Sequence, residues 1–270
     1  MNVSPTSMEH GSPVVQMPQP PPSQRAFDNQ SDGQPKNQAP FFTASSFNDY
    51  KIRRHFVAKV YCILFAQLSL TAACVAMCMS IPSVCVWIRR YPVFLYVAYG
   101  VFLTTYGMLL CCTNARRSHP GNLIALFVFT LAMSYLAATI ACRYTTVSVL
   151  TTFLITSASC AAISMFAVCG CVDFTRCSSF LFVSSIGLFL FGLACIIVYI
   201  FLGRNKILHA VYGGVAAVLF MLYLAYDTQL VVGRHAVALS PEEYVLAAAE
   251  LYIDVMNLFL ILLGLVGEQE

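Results

Sequence analysis

The sequence predicts an all-α polytopic membrane protein: a seven-transmembrane-helix bundle behind a disordered N-terminal tail. Three observations carry this. Of 270 residues, 59% are hydrophobic and only 10% charged, whereas a soluble domain carries about 25% charge, so there are too few charges to cover a globular surface. From Phe56 onward, apolar stretches of about the 20 residues that cross a bilayer alternate with short polar breaks. Those stretches are continuous rather than alternating, which excludes a membrane β-barrel. Helices remain, because they satisfy their own backbone groups in lipid. A net charge of +3 is too weak to argue for nucleic acid, and none is expected as a partner.

Residues 1–50 form the tail. They hold eight of the twelve prolines, with Ser, Asn and Gln and no apolar period, a composition that cannot bury enough surface to fold. Gln19-Pro20-Pro21-Pro22 favours a polyproline II segment. Either it docks a proline-reading domain or it is plain solvated chain. The tail lacks the apolar core of a signal peptide. Residues 51–270 form the transmembrane domain, with spans over 56–80, 91–112, 121–142, 146–168, 178–202, 207–232 and 245–266. The breaks carry helix-ending residues: Pro82 and Pro92, Pro120-Gly121, Asp173, Gly203 and Gly233. Span four is rich in small residues from Thr156 to Ser164, which reads as a face for close helix packing. Ser240-Pro241-Glu242-Glu243 marks the start of the seventh helix, with an N-cap and a proline at the first helical position.

The twelve cysteines do not read as a disulfide framework. Most lie inside apolar runs, Cys142 among them, and serve there as small apolar packing residues. Cys169, Cys171 and Cys177 share a polar loop without a nearby histidine, which is a poor zinc site. No cofactor and no structural metal are expected.

Orientation follows from basic residues near the span ends. With the tail in the cytosol, that side collects Lys51, Arg53, Arg54, Lys59, Arg116, Arg117, Arg176 and Arg234, and the opposite side Arg89, Arg90, Arg143, Arg204 and Lys206. The imbalance favours a cytosolic N-terminus. Seven crossings put the C-terminus on the other side, unless the polar residues of the last span make it re-entrant.

The chemistry concentrates in the last fifty residues. Asp227 lies in the sixth span and Asp254 in the seventh. A carboxylate inside a membrane is costly and by default marks function; the bland alternative is that Asp227 sits wet at its helix end. Counted from Ser240 at about 1.5 Å per residue, Asp254 lies roughly 20 Å along its helix. Asp227 lies only five residues from the end of its own. The two meet only if the seventh helix begins outside the hydrocarbon or is tilted. Glu250, Asp254 and Asn257 share one helix face. Two carboxylates a few ångström apart do not easily both ionise and titrate as a unit sharing one proton. Such a pair serves as a proton switch, a hard-cation ligand set or a catalytic dyad.

Ala225-Tyr-Asp-Thr-Gln-Leu230, Ser240-Pro-Glu-Glu-Tyr244 and Leu251-Tyr-Ile-Asp-Val-Met-Asn-Leu-Phe259 together resemble the signature of the transmembrane Bax inhibitor motif family, lifeguard branch. Phe56–Leu68, Arg116–Leu123, Phe129–Tyr135 and Val172–Cys177 fit its first span, second loop, third span and fourth loop. The resemblance covers roughly residues 50–266. It implies a seven-helix fold with a central last helix, and a calcium leak of endoplasmic reticulum or Golgi membranes that lowers store calcium and damps apoptosis. It carries a di-aspartyl pH sensor onto Asp227 and Asp254, and a gating arginine onto Arg116 or Arg117, for which ordinary positive-inside anchoring is the alternative. One departure stands out: Glu250 occupies a position where the family usually has asparagine. An added carboxylate there either strengthens cation binding or adds repulsion.

On these grounds the expected function is a pH-sensitive calcium leak gated by the di-aspartyl pair. Calcium is the permeant ion, Glu250 and Asn257 are pore or cation-binding residues, and at neutral pH the ionised pair holds the cytosolic mouth closed through the arginine, Arg116 or Arg117, and the shared proton. Carboxylate and carbonyl oxygens suit calcium, bound weakly enough to be released. The alternative is a non-conducting protein that binds apoptosis-related membrane proteins or receptors. An intramembrane aspartyl protease is a distant third. Tyr226-Asp227 matches its first motif, but Leu251-Tyr252-Ile253-Asp254 replaces Gly-x-Gly-Asp.

Overall fold

The computed structural model describes the backbone of residues 44–112, 120–170, 172–203, 205–233, 239 and 243–269, with side chains from Lys51 onward. The proline-rich segment, Arg116, Arg117, Cys171 and Ser240-Pro241-Glu242 lie outside the described residues. Eight α-helices follow in order: α1 (Ala44–Ser80), α2 (Pro82–Arg90), α3 (Val93–Cys111), α4 (Gly121–Ala141), α5 (Thr146–Cys169), α6 (Ser178–Leu202), α7 (Lys206–Val232) and α8 (Tyr244–Val266). A single 3-10 turn, Phe174–Cys177, precedes α6. Seven helices are long and apolar enough to cross a membrane, and α2 is the short exception.

The boundaries obey local chemistry. Pro82 opens α2 at a position where no backbone donor is required. Asn205 caps α7 through bonds to the amides of Ile207 and Leu208. Gly170 and Gly233 end α5 and α7 in the left-handed conformation, which suits glycine. α8 runs from Tyr244, after Glu243; the predicted cap at Ser240-Pro241-Glu242 lies outside the described residues.

Alternate helices run in opposite directions, so loops gather at two ends. The near end holds the start of α1 and the α5–α6 and α7–α8 connections. The far end holds α2, the α4–α5 turn and the chain after α8. α8 is central, as expected, and shares that position with α4: 61% of each core window is buried, against 6% for α3 and α6. Outer helices present residues such as Phe65, Tyr96, Phe201 and Leu202 outward, as apolar side chains facing lipid do. The small residues of α5 depart from expectation. Thr156 is buried, but Ser157, Ala158, Ala161 and Ala162 point outward, and the packed face is Val149, Thr152, Thr156 and Ala167. Small size permits close approach without dictating it.

Between α1, α4 and α8 runs a buried hydroxyl chain. The Tyr252 hydroxyl lies 2.7 Å from Thr71 Oγ1, which lies 2.8 Å from Ser134 Oγ. Gln67 Nε2 donates to Thr130 Oγ1 at 2.9 Å. Tyr252 is fully buried, its ring edge-on to Phe129. In a membrane interior, where no water competes, such bonds fix one arrangement of three helices.

α8 is an unbroken helix of 23 residues, long and apolar enough to cross a membrane. After Val266 the chain docks on the α4–α5 turn: Thr145 N–H donates to the Glu268 carbonyl at 3.1 Å, and Glu268 N–H to Ser148 Oγ at 3.0 Å. Gly267 is required there, since a Cβ would sit 2.6 Å from the Tyr144 ring.

Also at the far end, Cys85 of α2 and Cys142 after α4 form a disulfide across 57 residues of sequence. This corrects the reading of Cys142 as a packing residue: both cysteines are buried in a small cluster with Ile88. Peptide mapping without reductant is expected to recover Cys85 and Cys142 as one linked pair, and Cys85→Ser to leave Cys142 open to alkylation after denaturation. Alkylation of Cys142 in unreduced wild-type protein would refute the pairing.

Candidate functional site

Asp227 and Asp254 meet. Their carboxyl groups lie within hydrogen-bonding reach of each other, and both residues are buried, at 9% and 5% exposure. The depth mismatch resolves through helix register. α7 and α8 pack antiparallel along their length, and a Cβ on Gly213 of α7 would clash with Leu265 of α8. Counting back from the aspartate contact sets the end of α7 beside Ala249. The first turn of α8 therefore overhangs α7 by about 8 Å and carries Asp254 down to the level of Asp227.

A hydrogen bond between two carboxyl groups needs a proton on one of them. The contact therefore exists only in states that keep at least one proton on the pair.

The pair lies in the wall of a cavity of about 780 Å³ between α6, α7 and α8, with Tyr106 of α3 reaching in. Glu250 and Asn257 line it on the same α8 face as Asp254, as their spacing predicts. Tyr212, Tyr223 and Tyr226 add further polar edges. The lining runs along α7 from Leu230 to Tyr212, about 27 Å of helix at 1.5 Å per residue, against a hydrocarbon thickness of about 30 Å. On the opposite face of α8, an apolar recess of about 410 Å³ between α1 and α5 is a weaker candidate for chemistry. Four of its five hydroxyls, those of Thr71, Ser80, Thr156 and Ser157, already bond to backbone carbonyls.

Two residues acquire roles that the sequence reading did not give them. Gln229, two positions after Asp227, is 1% exposed. Its amide donates to the carbonyls of Ala167 and Val172 and accepts from Phe174 N–H at 2.7 Å. It pins the α5–α6 connection to the end of α7; its place in the quoted motif was the available signal. Arg53, read as a flanking charge, reaches the carbonyls of Leu230, Val232 and Leu239. The two arginines proposed as gate partners, Arg116 and Arg117, are outside the described residues. Cys169 and Cys177 are exposed and unpaired.

The sequence model of the family described as "Inhibitor of apoptosis-promoting Bax1" matches residues 53–270. Protein lifeguard 3 of Mus musculus is 37% identical over 229 residues, 85% of this chain and 74% of the relative. Protein lifeguard 3 of Homo sapiens is 36% identical over 238 residues, 88% of this chain and 76% of the relative. Protein lifeguard 4 of Mus musculus is 34% identical over 212 residues, 78% and 84% respectively.

Replacing Gln229 by Leu keeps the volume and removes three hydrogen bonds at a buried position. The expected loss is about 1–3 kcal/mol, read as a lower melting temperature in detergent and faster hydrogen exchange over residues 172–177. Unchanged exchange in that segment would contradict the pinning role.

Proposed function

The chain belongs to the Bax1-I family, inhibitors of apoptosis-promoting Bax1, and from that premise we propose that it is an anti-apoptotic calcium leak of an intracellular membrane, gated by Asp227 and Asp254. It is a multi-pass membrane protein of a family named for an effect on apoptosis rather than for a catalysed reaction. The observation that carries the proposal is the buried carboxyl pair in the wall of a cavity whose lining follows α7 from Tyr212 to Leu230. A scaffold gains nothing from burying two acids there, at roughly 2.5–3.5 kcal/mol each on insertion scales.

The mechanism follows from the proton. While one proton is shared, the pair ties the end of α7 to the middle of α8 and the near mouth is closed. Loss of that proton as pH rises leaves two charges side by side. Repulsion separates the helices, and hydrated calcium passes. Glu250, Asp254 and Asn257 offer oxygen ligands of the kind calcium takes, too few for tight retention, which suits a conducting site.

The Cys85–Cys142 bond supports the orientation. Disulfides persist in oxidising compartments, so the far end faces a lumen such as that of the endoplasmic reticulum or Golgi, and the near end, with the tail, faces the cytosol. There the tail is available to a proline-reading domain, and the bundle to apoptosis-related membrane proteins.

In proteoliposomes, wild-type calcium flux is expected to rise from mildly acidic to alkaline pH. Asp227→Asn and Asp254→Asn each supply a non-titrating amide donor to the remaining carboxylate, so that rise is lost by on the order of tenfold, the factor one such hydrogen bond carries. Asp254→Ala removes the contact and leaks at every pH. Glu250→Asn leaves the pH response in place and changes its amplitude. No flux from folded wild type at any pH would contradict conduction and leave the non-conducting interaction protein.

A further inference from the structure

α1 and α5 present facing stripes with a recess of about 410 Å³ between them. On α1 the lining residues from Leu68 to Ser80 recur at steps of three and one, and those of α5 from Thr146 to Ser157 do the same. That rhythm marks one continuous helix face. Val255, Met256 and Phe259 of α8 complete the lining. Val75, Val149 and Met256 are buried at its base, whereas Ala76, Leu150 and Phe153 are exposed along its rims. The recess therefore opens sideways, between two membrane-spanning helices, toward lipid.

Its position and length fit one leaflet. Ser80 ends α1 and Thr146 opens α5, both at the far end. From there the lining runs about 18 Å along α1 to Leu68 and about 17 Å along α5 to Ser157. Half of the hydrocarbon thickness is about 15 Å. Through that depth the recess offers nothing to a polar ligand, because the hydroxyls of Thr71, Thr156 and Ser157 bond to carbonyls of their own helices. An apolar cavity of about 150 Å³ already takes up benzene or xenon. A larger one that opens to hydrocarbon fills, since its lining would otherwise forfeit dispersion contacts.

The far rim is different in character. The Thr146 hydroxyl bonds to no described residue, and Arg143, three residues earlier, is exposed and in no ion pair with a described residue. A guanidinium at that level suits a phosphate, which a sterol lacks. Met79 and Met256, unbranched and flexible, suit a flexible chain better than a rigid ring system. We propose that the recess binds one acyl chain of a far-leaflet phospholipid, whose phosphate is held at the rim by Arg143 and Thr146. The bound chain completes the packing of α1, α5 and α8. It bears on α8 from the side opposite the carboxyl cavity and is independent of what that cavity conducts.

The test uses full-length protein in phosphatidylcholine vesicles that contain a trace of phosphatidylcholine with a diazirine midway along one acyl chain. After irradiation, adducts are mapped by mass spectrometry. Adducts at Val75, Phe153 and Met256 are expected to exceed those at Ile196 and Ile197 by on the order of tenfold, a modest binding preference. Those two α6 residues are exposed and lie at a similar distance from the far end. Ala76→Phe, which puts a ring into the recess, is expected to abolish the excess and leave α6 labelling unchanged. Arg143→Gln lowers the excess severalfold, and cholesterol added to the vesicles leaves it in place. Equal labelling of recess and α6 in wild type overturns the site, and this reading does not depend on whether Ala76→Phe folds. An excess that cholesterol removes, or that Arg143→Gln leaves untouched, overturns the assignment to a phospholipid.

Discussion

The hydrogen bond between Asp227 and Asp254 sets the terms for the elements around it. Two acids in an apolar bundle are tolerable only if they face each other and keep a proton between them. That requirement fixes the register of α7 against α8, and with it the overhang of the first turn of α8. Arg53 bonds to the last carbonyls of α7 and to Leu239, Lys59 lies over Tyr244 at the start of α8, and Gln229 holds the α5–α6 connection. The polar side chains at the near end thus serve one geometry, and the far end is held separately by the Cys85–Cys142 bond and the docked C-terminal residues.

α8 is central because it has two demands to meet. One face carries Glu250, Asp254 and Asn257 toward the cavity; the other carries Tyr252 into the hydroxyl chain with Thr71 and Ser134. Tyr252 and Asp254 are two residues apart and so point to different sides of the helix. The stiff side holds α8 to α1 and α4, and the polar side is free to respond to protonation. In the proposed gating, α7 is the helix that moves and α8 the one that stays fixed.

Much of this was legible in the residues. The seven spans appear as uninterrupted apolar runs, and their ends fall within two residues of the observed helices because Pro, Gly and Asn punctuate them, except that α1 begins at Ala44, twelve residues before the expected start and within the segment read as tail. The aspartates are legible because a membrane acid is rare. The disulfide was not: Cys85 and Cys142 lie 57 residues apart, and a cysteine in an apolar run looks the same whether it packs or pairs. Arg53 was not, because a basic residue at a span end has a sufficient explanation in membrane orientation. Its true partners are backbone carbonyls, which carry no sequence signature. The small residues of α5 misled for the converse reason, since a face that permits close packing need not be used. The depth of Asp254 depended on where α8 begins relative to α7, a property of the packed pair and not of either helix.

The central claim is that one proton is shared by Asp227 and Asp254 and that its loss opens the path. Infrared difference spectroscopy of the reconstituted protein, titrated across pH while calcium flux is followed, tests it directly. The account predicts a protonated-carboxyl band that disappears over the same pH interval in which flux rises, and that is absent or displaced in Asp227→Asn and in Asp254→Asn. A band that persists unchanged in both variants, or that titrates in an interval where flux is constant, would contradict it.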